Sequence, residues 1–260
     1  MQVYLAVTPG QLQEAARHCR NLAHVAYRMG EGSTLLRQSL LLQTRGGLLV
    51  VTDQEAPVIQ DPQKLSVAVV RECGRRGFTG VLLDFQERTA DRLSFARQLV
   101  LTLKETRRTV YVPEIYGPSV PGAVTLICTA LSGGDFAQRL REAMAQRTGP
   151  LGLDVQRLRM DFTLPARNGE GVPLSQADFQ ALVEREDPAV FFSQELCARY
   201  FTYTRDGQTH FVLFDDAGTI RKKLQTGAAL GYSAAFLMFP EVRDLLGELF
   251  PLQRNGPQRN

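Results

Sequence analysis

Short apolar runs with strand-like composition recur along the chain, and most are separated by stretches with helical periodicity. The runs that predict strands are VYLAVT, AHVAYRM, GGLLVVTD, FTGVLLDF, TVYVPEIY, AVTLICTA, RLRMDFTL and YSAAFLMF. Eight strands, mostly joined by helices, are the number that a closed barrel of alternating strands and helices requires. The pattern therefore predicts an α/β fold, a (β/α)8 TIM barrel.

The helical stretches carry residues that commonly begin and end helices. The predicted helices are PGQLQEAARHCRNL, DPQKLSVAVVRECGRRG, RLSFARQLVLTLKETR, DFAQRLREAMAQRTG and AGTIRKKLQTGAALG. Pro9 stands in a first turn, where proline is tolerated. Asp61 is predicted to cap the second helix and Gly77 to end it.

Two places depart from the regular alternation. Only GPSVPG separates TVYVPEIY from AVTLICTA, which is too short for a crossover helix, so we expect one outer helix to be reduced to a turn. Near the C-terminus, two alternating runs flank Asp206-Gly207 and predict a small β-hairpin insertion before the last helix. We expect residues 1–250 to form a single barrel domain and residues 251–260 to be a disordered polar tail.

Composition and charge exclude several classes of function. The 260 residues carry a formal net charge of +3, too small to indicate a nucleic-acid partner. The four cysteines and three histidines are scattered without metal-ligand spacing, so no disulfide, metal or cofactor is expected. No basic segment precedes an apolar one at the N-terminus, and no run of about 18 apolar residues occurs, so neither a signal peptide nor a membrane partner is expected.

Two stretches resemble a known family. Residues 200–239 are similar to the hairpin, the following helix and the last strand of family 18 glycoside hydrolases, the chitinase-like enzymes, and RGFTGVLLDFQE resembles their fourth-strand signature D-G-x-D-x-D-x-E. Weaker similarity covers AHVAYRMGEGSTL, TVYVPEI and AVTLICTAL. The similarity is greatest to the bacterial spore-associated, cortex-lytic branch. It implies a partner that is an N-acetylated glycan, such as peptidoglycan or a chitin-like chain. Together with the lack of a signal peptide, it leads us to expect a cytoplasmic or spore-associated location.

The resemblance also implies a mechanism in which the acetamido oxygen of the sugar attacks its own anomeric carbon while a glutamate protonates the leaving oxygen. Aligning Asp84 with the last aspartate of the signature puts Gln86 at the glutamate position and Leu82 at the preceding aspartate. Side chains alternate along a strand, so Glu87 is expected to face away. An amide cannot donate a proton as a carboxylic acid does, and loss of a general acid costs roughly 10²–10⁴ in rate.

Other family positions are also changed. The Met-x-Tyr-Asp motif of the sixth strand, whose tyrosine supports the acetamido group, aligns with Ile127, Cys128, Thr129 and Ala130. The tryptophan beneath the sugar aligns with Met238, and the chain contains no tryptophan. Because sugar sites often use flat aromatic faces, these changes indicate a degenerate active site in which no residue is confidently catalytic.

Polar residues at the predicted C-terminal ends of strands are further pocket candidates, because active sites of barrels collect there. Asp53 is one of them, although nothing in the local sequence distinguishes these residues from ordinary loop residues, and a loop role is the simpler explanation of each. Asp215 and Asp216 are explained by capping of the last long helix. The candidate ligand-binding residues are Asp84, Gln86, Glu114, Tyr116, Asp161 and Met238.

Three hypotheses remain open. The first is a catalytically degenerate glycosidase-like barrel that binds a saccharide or a protein partner without hydrolysis. The second is an active glycosidase on N-acetylated glycans that uses Asp84 with a displaced Glu87, which requires a β-bulge to turn Glu87 inward. The third is a structural barrel in a spore-related assembly.

Overall fold

The computed structural model describes residues 1–38, 45–166 and 171–251, so residues 252–260 of the predicted tail lie outside the described residues. The strands are β1 (Gln2–Val7), β2 (Leu22–Gly30), β3 (Thr34–Arg37), β4 (Leu48–Thr52), β5 (Gly80–Asp84), β6 (Thr109–Pro113), β7 (Val124–Cys128), β8 (Leu151–Val155), β9 (Arg159–Thr163), β10 (Val172–Pro173), β11 (Phe191–Ser193), β12 (Ala198–Arg205), β13 (Gln208–Phe214) and β14 (Ala234–Met238). The α-helices are α1 (Leu12–His18), α2 (Pro62–Arg76), α3 (Ala90–Lys104), α4 (Phe136–Gln146), α5 (Gln176–Glu186), α6 (Ala217–Ala229), α7 (Phe239–Val242) and α8 (Leu246–Leu249).

Eight parallel strands close into a barrel. Their order is β1, β14, β8, β7, β6, β5, β4 and β2, and a pairing between β1 and β2 closes the ring. The short strand β3 pairs antiparallel with β2 outside this ring. The predicted (β/α)8 barrel is confirmed.

The barrel strands have two buried faces, which explains their continuous apolar runs. Every second residue points inward, and the interior is filled by Tyr4, Ala6, Ala23, Leu48, Val50, Leu82, Tyr111, Val124, Leu126, Ala234 and Phe236. Three of these rings, Tyr4, Tyr111 and Phe236, pack on one another with centroids 5.0 to 6.0 Å apart. The alternate residues pack against the surrounding helices in two further clusters.

The outer ring of helices follows the sequence signals closely. The Asp61 side chain accepts a hydrogen bond from the Lys64 amide at 2.9 Å, and Gly77 ends α2 with φ at +69°, a conformation that favours glycine. Between β6 and β7 the chain forms only a 3-10 helix, Glu114–Ser119, which confirms the reduced outer helix. None of the described helices is both long and apolar enough to cross a membrane.

A second sheet is inserted between β8 and α6. It has five antiparallel strands in the order β10, β9, β13, β12 and β11, and α5 packs on one of its faces through Phe179, Leu182 and Val183. The predicted hairpin is present as β12 and β13. It is part of a larger insertion than the sequence predicted.

One predicted barrel strand was wrong. RLRMDFTL does not form a barrel strand; it contains β9, which pairs with β13 in the inserted sheet. The seventh barrel strand is β8, whose sequence LGLDV directly follows Pro150 and pairs with β7 and β14. The capping pattern of Ser175 with Asp178, three residues later, was the available signal for α5, which was not predicted.

The capping explanation is right for Asp216 and wrong for Asp215. The Asp216 side chain accepts a hydrogen bond from the Thr219 amide at 2.7 Å, at the start of α6. Asp215 is instead fully buried, 2.7 Å from the Lys223 ammonium, and it also accepts hydrogen bonds from the Leu158 amide and the Thr219 hydroxyl. It therefore connects α6 to the segment that leaves the barrel after β8.

Candidate functional site

A cavity of about 490 Å³ opens at the carboxyl ends of the barrel strands. This is the end of the fold at which barrels place their binding sites, and the volume lies within the usual range for small-molecule pockets. The lining residues are Ala6, Val25, Val50, Leu82, Leu83, Asp84, Phe85, Gln86, Pro113, Glu114, Ile115, Leu126, Cys128, Asp154, Gln156, Phe236, Met238 and Glu241.

Two Asp-x-Gln segments contribute polar groups on separate sides of the cavity. Asp84 ends β5, and the Gln86 amide donates a hydrogen bond to its carboxylate at 3.3 Å. Asp154 lies in β8, and the Gln156 amide donates to its carboxylate at 2.7 Å. The sequences VLLDFQ and LGLDVQ thus form the same arrangement twice, with β6 and β7 between them.

A buried ion pair holds the loop after β5. Asp53, which follows β4, accepts hydrogen bonds from the backbone amides of Gln86 at 3.0 Å and Glu87 at 3.3 Å. Arg92 approaches Asp53 to 3.2 Å, although its Nε–H is not aimed at that oxygen, so the contact is an ion pair rather than a hydrogen bond. Tyr116, fully buried, donates its hydroxyl proton to the Glu87 carbonyl.

Glu87 is directed to solvent. Its side chain is 72% exposed, and its carboxylate lies 3.5 Å from the Arg92 guanidinium. The pairing of β5 with β4 runs without a register shift from Gly80 to Asp84, so the strand contains no β-bulge there. Gln86, in contrast, lines the cavity beside Asp84.

The cavity raises the pKa of three carboxyl groups. Burial raises the pKa of Asp154 to about 6, with smaller contributions from the negative charges of Glu241 and Asp84 and an opposing hydrogen bond from Gln156. Burial, followed by the Asp53 charge, raises the pKa of Asp84. Burial also raises the pKa of Glu241, whose carboxylate accepts a hydrogen bond from the Arg157 backbone amide at 3.2 Å.

The predicted ligand-binding residues divide into two groups. Asp84, Gln86, Glu114 and Met238 line the cavity, and Glu114 pairs with Arg139 at 2.8 Å. Tyr116 lies beneath the loop after β5 rather than in the lining, and it packs edge-on against Phe85.

Asp161 was predicted at the end of a barrel strand, and that placement was wrong. It lies in β9 of the inserted sheet, where it accepts a hydrogen bond from Tyr203 and contacts His210. The sixth-strand residues that the resemblance aligned with the family motif differ in their placement. Cys128 lines the cavity, whereas the next residue, Thr129, is buried outside the lining.

Three polar residues of the lining were missed by sequence reasoning: Asp154, Gln156 and Glu241. Asp154 and Gln156 were missed because the seventh strand was assigned to the wrong segment. The repeat of L-D-x-Q at residues 83–86 and 153–156 was the signal that could have identified them. Glu241 lies in α7, directly after β14, and nothing in its local sequence distinguishes it from a surface residue.

The raised pKa of Asp154 predicts a pH-dependent stability change. Because the folded pKa is about 6 and the ordinary value is 3.8, the folded state binds more protons between these values, and stability falls as pH rises through that window. We expect Asp154→Asn to have a free energy of unfolding about 1–3 kcal/mol larger than that of the wild type at about pH 8. Near pH 4 the difference should vanish. Denaturant unfolding of both proteins at both pH values measures this difference. Equal stability of the variant and the wild type at pH 8 would contradict the prediction.

Comparisons with known proteins agree with the barrel. No family model matches the sequence, and no curated protein matches it. The spore cortex-lytic enzyme SleL of Bacillus cereus is 18% identical, with a TM-score of 0.64 over 98% of this chain and 75% of that chain. A chitinase of Chromobacterium violaceum is 15% identical, with a TM-score of 0.63 over 93% of this chain and 95% of that chain.

A third similar structure contains a glycan. It is a double mutant of a GH18 chitinase from Cycas revoluta in complex with (GlcNAc)4, 13% identical, with a TM-score of 0.67 over 95% of this chain and 97% of that chain. At such identities the likeness concerns the fold. The chain therefore has the (β/α)8 barrel fold of chitinase-like and spore cortex-lytic enzymes, as its sequence resemblance predicted.

Proposed function

We propose that the cavity binds a saccharide of the N-acetylated glycan class and does not hydrolyse it. The observation that carries the proposal is the position of Gln86, whose amide lines the cavity and donates to Asp84 where the resemblance calls for a proton-donating glutamate. A spore-associated location is part of the same proposal. It rests on the likeness to SleL.

The loss of hydrolysis follows from the chemistry of the two neighbouring side chains. A primary amide has no proton of carboxylic acidity to give to the leaving oxygen. Glu87 has a carboxyl group, but its side chain is 72% exposed and paired with Arg92. Without a bulge in β5, bringing Glu87 inward would require the loop to give up its backbone hydrogen bonds to Asp53.

Binding makes smaller demands on the site than hydrolysis. Asp84 and Gln86 offer an acceptor and a donor side by side, as do Asp154 and Gln156, and sugar hydroxyls pair with both kinds of group. Phe236 and Met238 supply apolar surface for a sugar face. The Cycas chitinase holds (GlcNAc)4 as a mutant in which one of the two changes replaces a glutamate by glutamine, so such a change is compatible with a bound glycan there.

The test separates binding from turnover. We expect no soluble products, by mass spectrometry, after prolonged incubation with (GlcNAc)4 or peptidoglycan fragments. We expect saturable binding of these ligands by calorimetry, weakened about tenfold by Asp84→Asn, which removes the charge but keeps the shape. Asp206→Asn is the matched control, because Asp206 is 92% exposed at the hairpin tip and asparagine tolerates its positive φ of 51°.

Two results would overturn the proposal in different directions. Turnover that Glu87→Gln abolishes and Gln86→Ala leaves intact would establish the active glycosidase with a displaced acid. Absence of binding to every glycan tested would favour a structural or protein-binding barrel. Neither result would alter the fold.

A further inference from the structure

The charge of the cavity does not suit a neutral glycan alone. Its lining contains four carboxylates, from Asp84, Glu114, Asp154 and Glu241, and no lysine, arginine or histidine. Glu114 is paired with Arg139 outside the lining. The remaining three are on β5, β8 and α7, so they face the cavity from different sides.

Asp84 and Asp154 are held by neutral groups. Each accepts a hydrogen bond from a glutamine amide, and within the part of the chain that the structure describes neither takes part in an ion pair with a basic side chain. Glu241 differs, because the charges of Arg157 and Arg159 act on it. Burying carboxylates without a partner cation is unfavourable, and a cationic group on a ligand would remove that cost.

We infer that the cavity selects glycans with free amino groups, that is, partly de-N-acetylated chains whose glucosamine ammonium lies between Asp84 and Asp154. The inference rests on the proposed function, which takes the cavity as a glycan site from its position and volume. The carboxylates determine the charge that such a glycan should carry. An ammonium has three N–H donors, and each carboxylate offers it a charged acceptor.

A metal ion is a poorer match for these carboxylates. Among the described residues, no three side chains of the metal-ligating types converge closely enough to hold one. The acids are instead distributed around a space of about 490 Å³, with glutamine amides beside two of them and apolar Phe236 below. An amino sugar can contact all three kinds of group: its ammonium pairs with the carboxylates, its hydroxyls with the glutamine amides, and its ring face with Phe236.

The pH dependence of binding follows from the same groups. Burial raises the pKa of Asp154 to about 6, the charges of Glu241 and Asp84 add to the shift, and Gln156 is its neutral partner. Protonation of Asp154 removes one of the two negative charges, so affinity for an ammonium should fall as pH falls through that value. An acetylated glycan should show a much smaller change.

The experiment compares (GlcN)4 with (GlcNAc)4 by calorimetry at about pH 6.5, where the amine and Asp154 are both substantially charged. We expect (GlcN)4 to bind at least about tenfold more tightly and to lose affinity as salt is added. Asp154→Asn and Asp84→Asn should each reduce the preference, whereas Asp206→Asn should keep it. Thermal unfolding of each variant confirms that it is folded.

The outcomes separate this inference from the proposed function. Equal or tighter binding of (GlcNAc)4 would overturn the selection for amino groups and leave glycan binding in place. Binding of (GlcN)4 with none of (GlcNAc)4 would uphold the selection and overturn the N-acetylated class. Spermine binding as tightly as (GlcN)4 would show that charge alone is recognised, which overturns the inference. Failure of all three ligands would overturn both proposals.

Discussion

Replacing Lys223 by methionine is expected to lower the free energy of unfolding by about 3–5 kcal/mol, one of the two largest effects that we predict for a single change. The Lys223 ammonium lies 2.7 Å from the Asp215 carboxylate, and both side chains are 0% exposed. Methionine fills a similar volume without a charge, so the variant leaves Asp215 buried and unpaired. Denaturant unfolding followed by circular dichroism measures the loss.

The position of Asp215 explains why the loss should be global. One of its oxygens accepts hydrogen bonds from the Lys223 ammonium and the Leu158 backbone amide, and the other accepts from the Thr219 hydroxyl. These contacts join α6 of the outer ring to the segment between β8 and the inserted sheet. An unpaired carboxylate at this point would weaken the attachment of both elements to the barrel.

The neighbouring lysine supplies the control. Lys222 is exposed, donates to Gln194 at 3.0 Å and lies over the Phe192 ring at 4.4 Å, so Lys222→Met should cost less than about 1 kcal/mol. Adding Asp215→Asn to Lys223→Met should recover part of the stability, because no buried charge remains. A cost for Lys223→Met no larger than that for Lys222→Met would contradict the prediction.

The sequence pattern predicted the barrel for two reasons. Strands that are buried on both faces appear as continuous apolar runs, and the residues that cap helices are recognisable locally. The helix from Asp61 to Gly77 is the clearest case, since a side-chain cap at one end and a left-handed glycine at the other are local effects. The reduced helix between β6 and β7 was equally predictable, because a six-residue link has no room for a crossover.

The seventh strand was beyond this reasoning because two segments competed for it. LGLDV contains glycine and aspartate, which are depleted in strands, whereas RLRMDFTL alternates in the way expected of a half-exposed strand. The alternation was real, but it belonged to the antiparallel sheet, whose strands are less buried than those of the barrel. That single error displaced Asp161 from the site and hid Asp154.

The orientation of residues on β5 was accessible from the sequence, since a strand period of two fixes which side chains share a face. The electrostatic environment of those residues could not be predicted from the sequence. Burial in the assembled cavity raises the pKa of both Asp84 and Asp154; the charge of Asp53, just after β4, adds to the first shift, and that of Glu241, 87 residues beyond Asp154, adds to the second. Charge coupling of this kind arises from tertiary structure alone.

The second large effect is expected at Asp53, which accepts hydrogen bonds from the loop that carries Gln86. Asp53→Ala should lower the free energy of unfolding by about 3–5 kcal/mol, because it leaves Arg92, a residue only 8% exposed, without its buried partner. It also removes the acceptor for the backbone amides of Gln86 and Glu87. Asp53→Asn should cost less, since one acceptor oxygen remains.

Hydrogen exchange distinguishes this role from a general loss of stability. The amides of Gln86 and Glu87 should exchange much faster in Asp53→Ala than in the wild type under native conditions, while amides within β4 and β5 change less. Asp61→Ala is the control, because Asp61 also accepts a hydrogen bond from a backbone amide but at an exposed helix start, where the loss costs about 1 kcal/mol.

The same substitution tests how Gln86 is positioned for a ligand. Gln86 lines the cavity, and its backbone amide donates a hydrogen bond to Asp53, so we expect release of the loop to weaken glycan binding even in molecules that remain folded. If Asp53→Ala bound glycan as tightly as the wild type, the amide of Gln86 would not contribute to the site. If it cost no more stability than Asp61→Ala, Asp53 and Arg92 would not form the support that we describe.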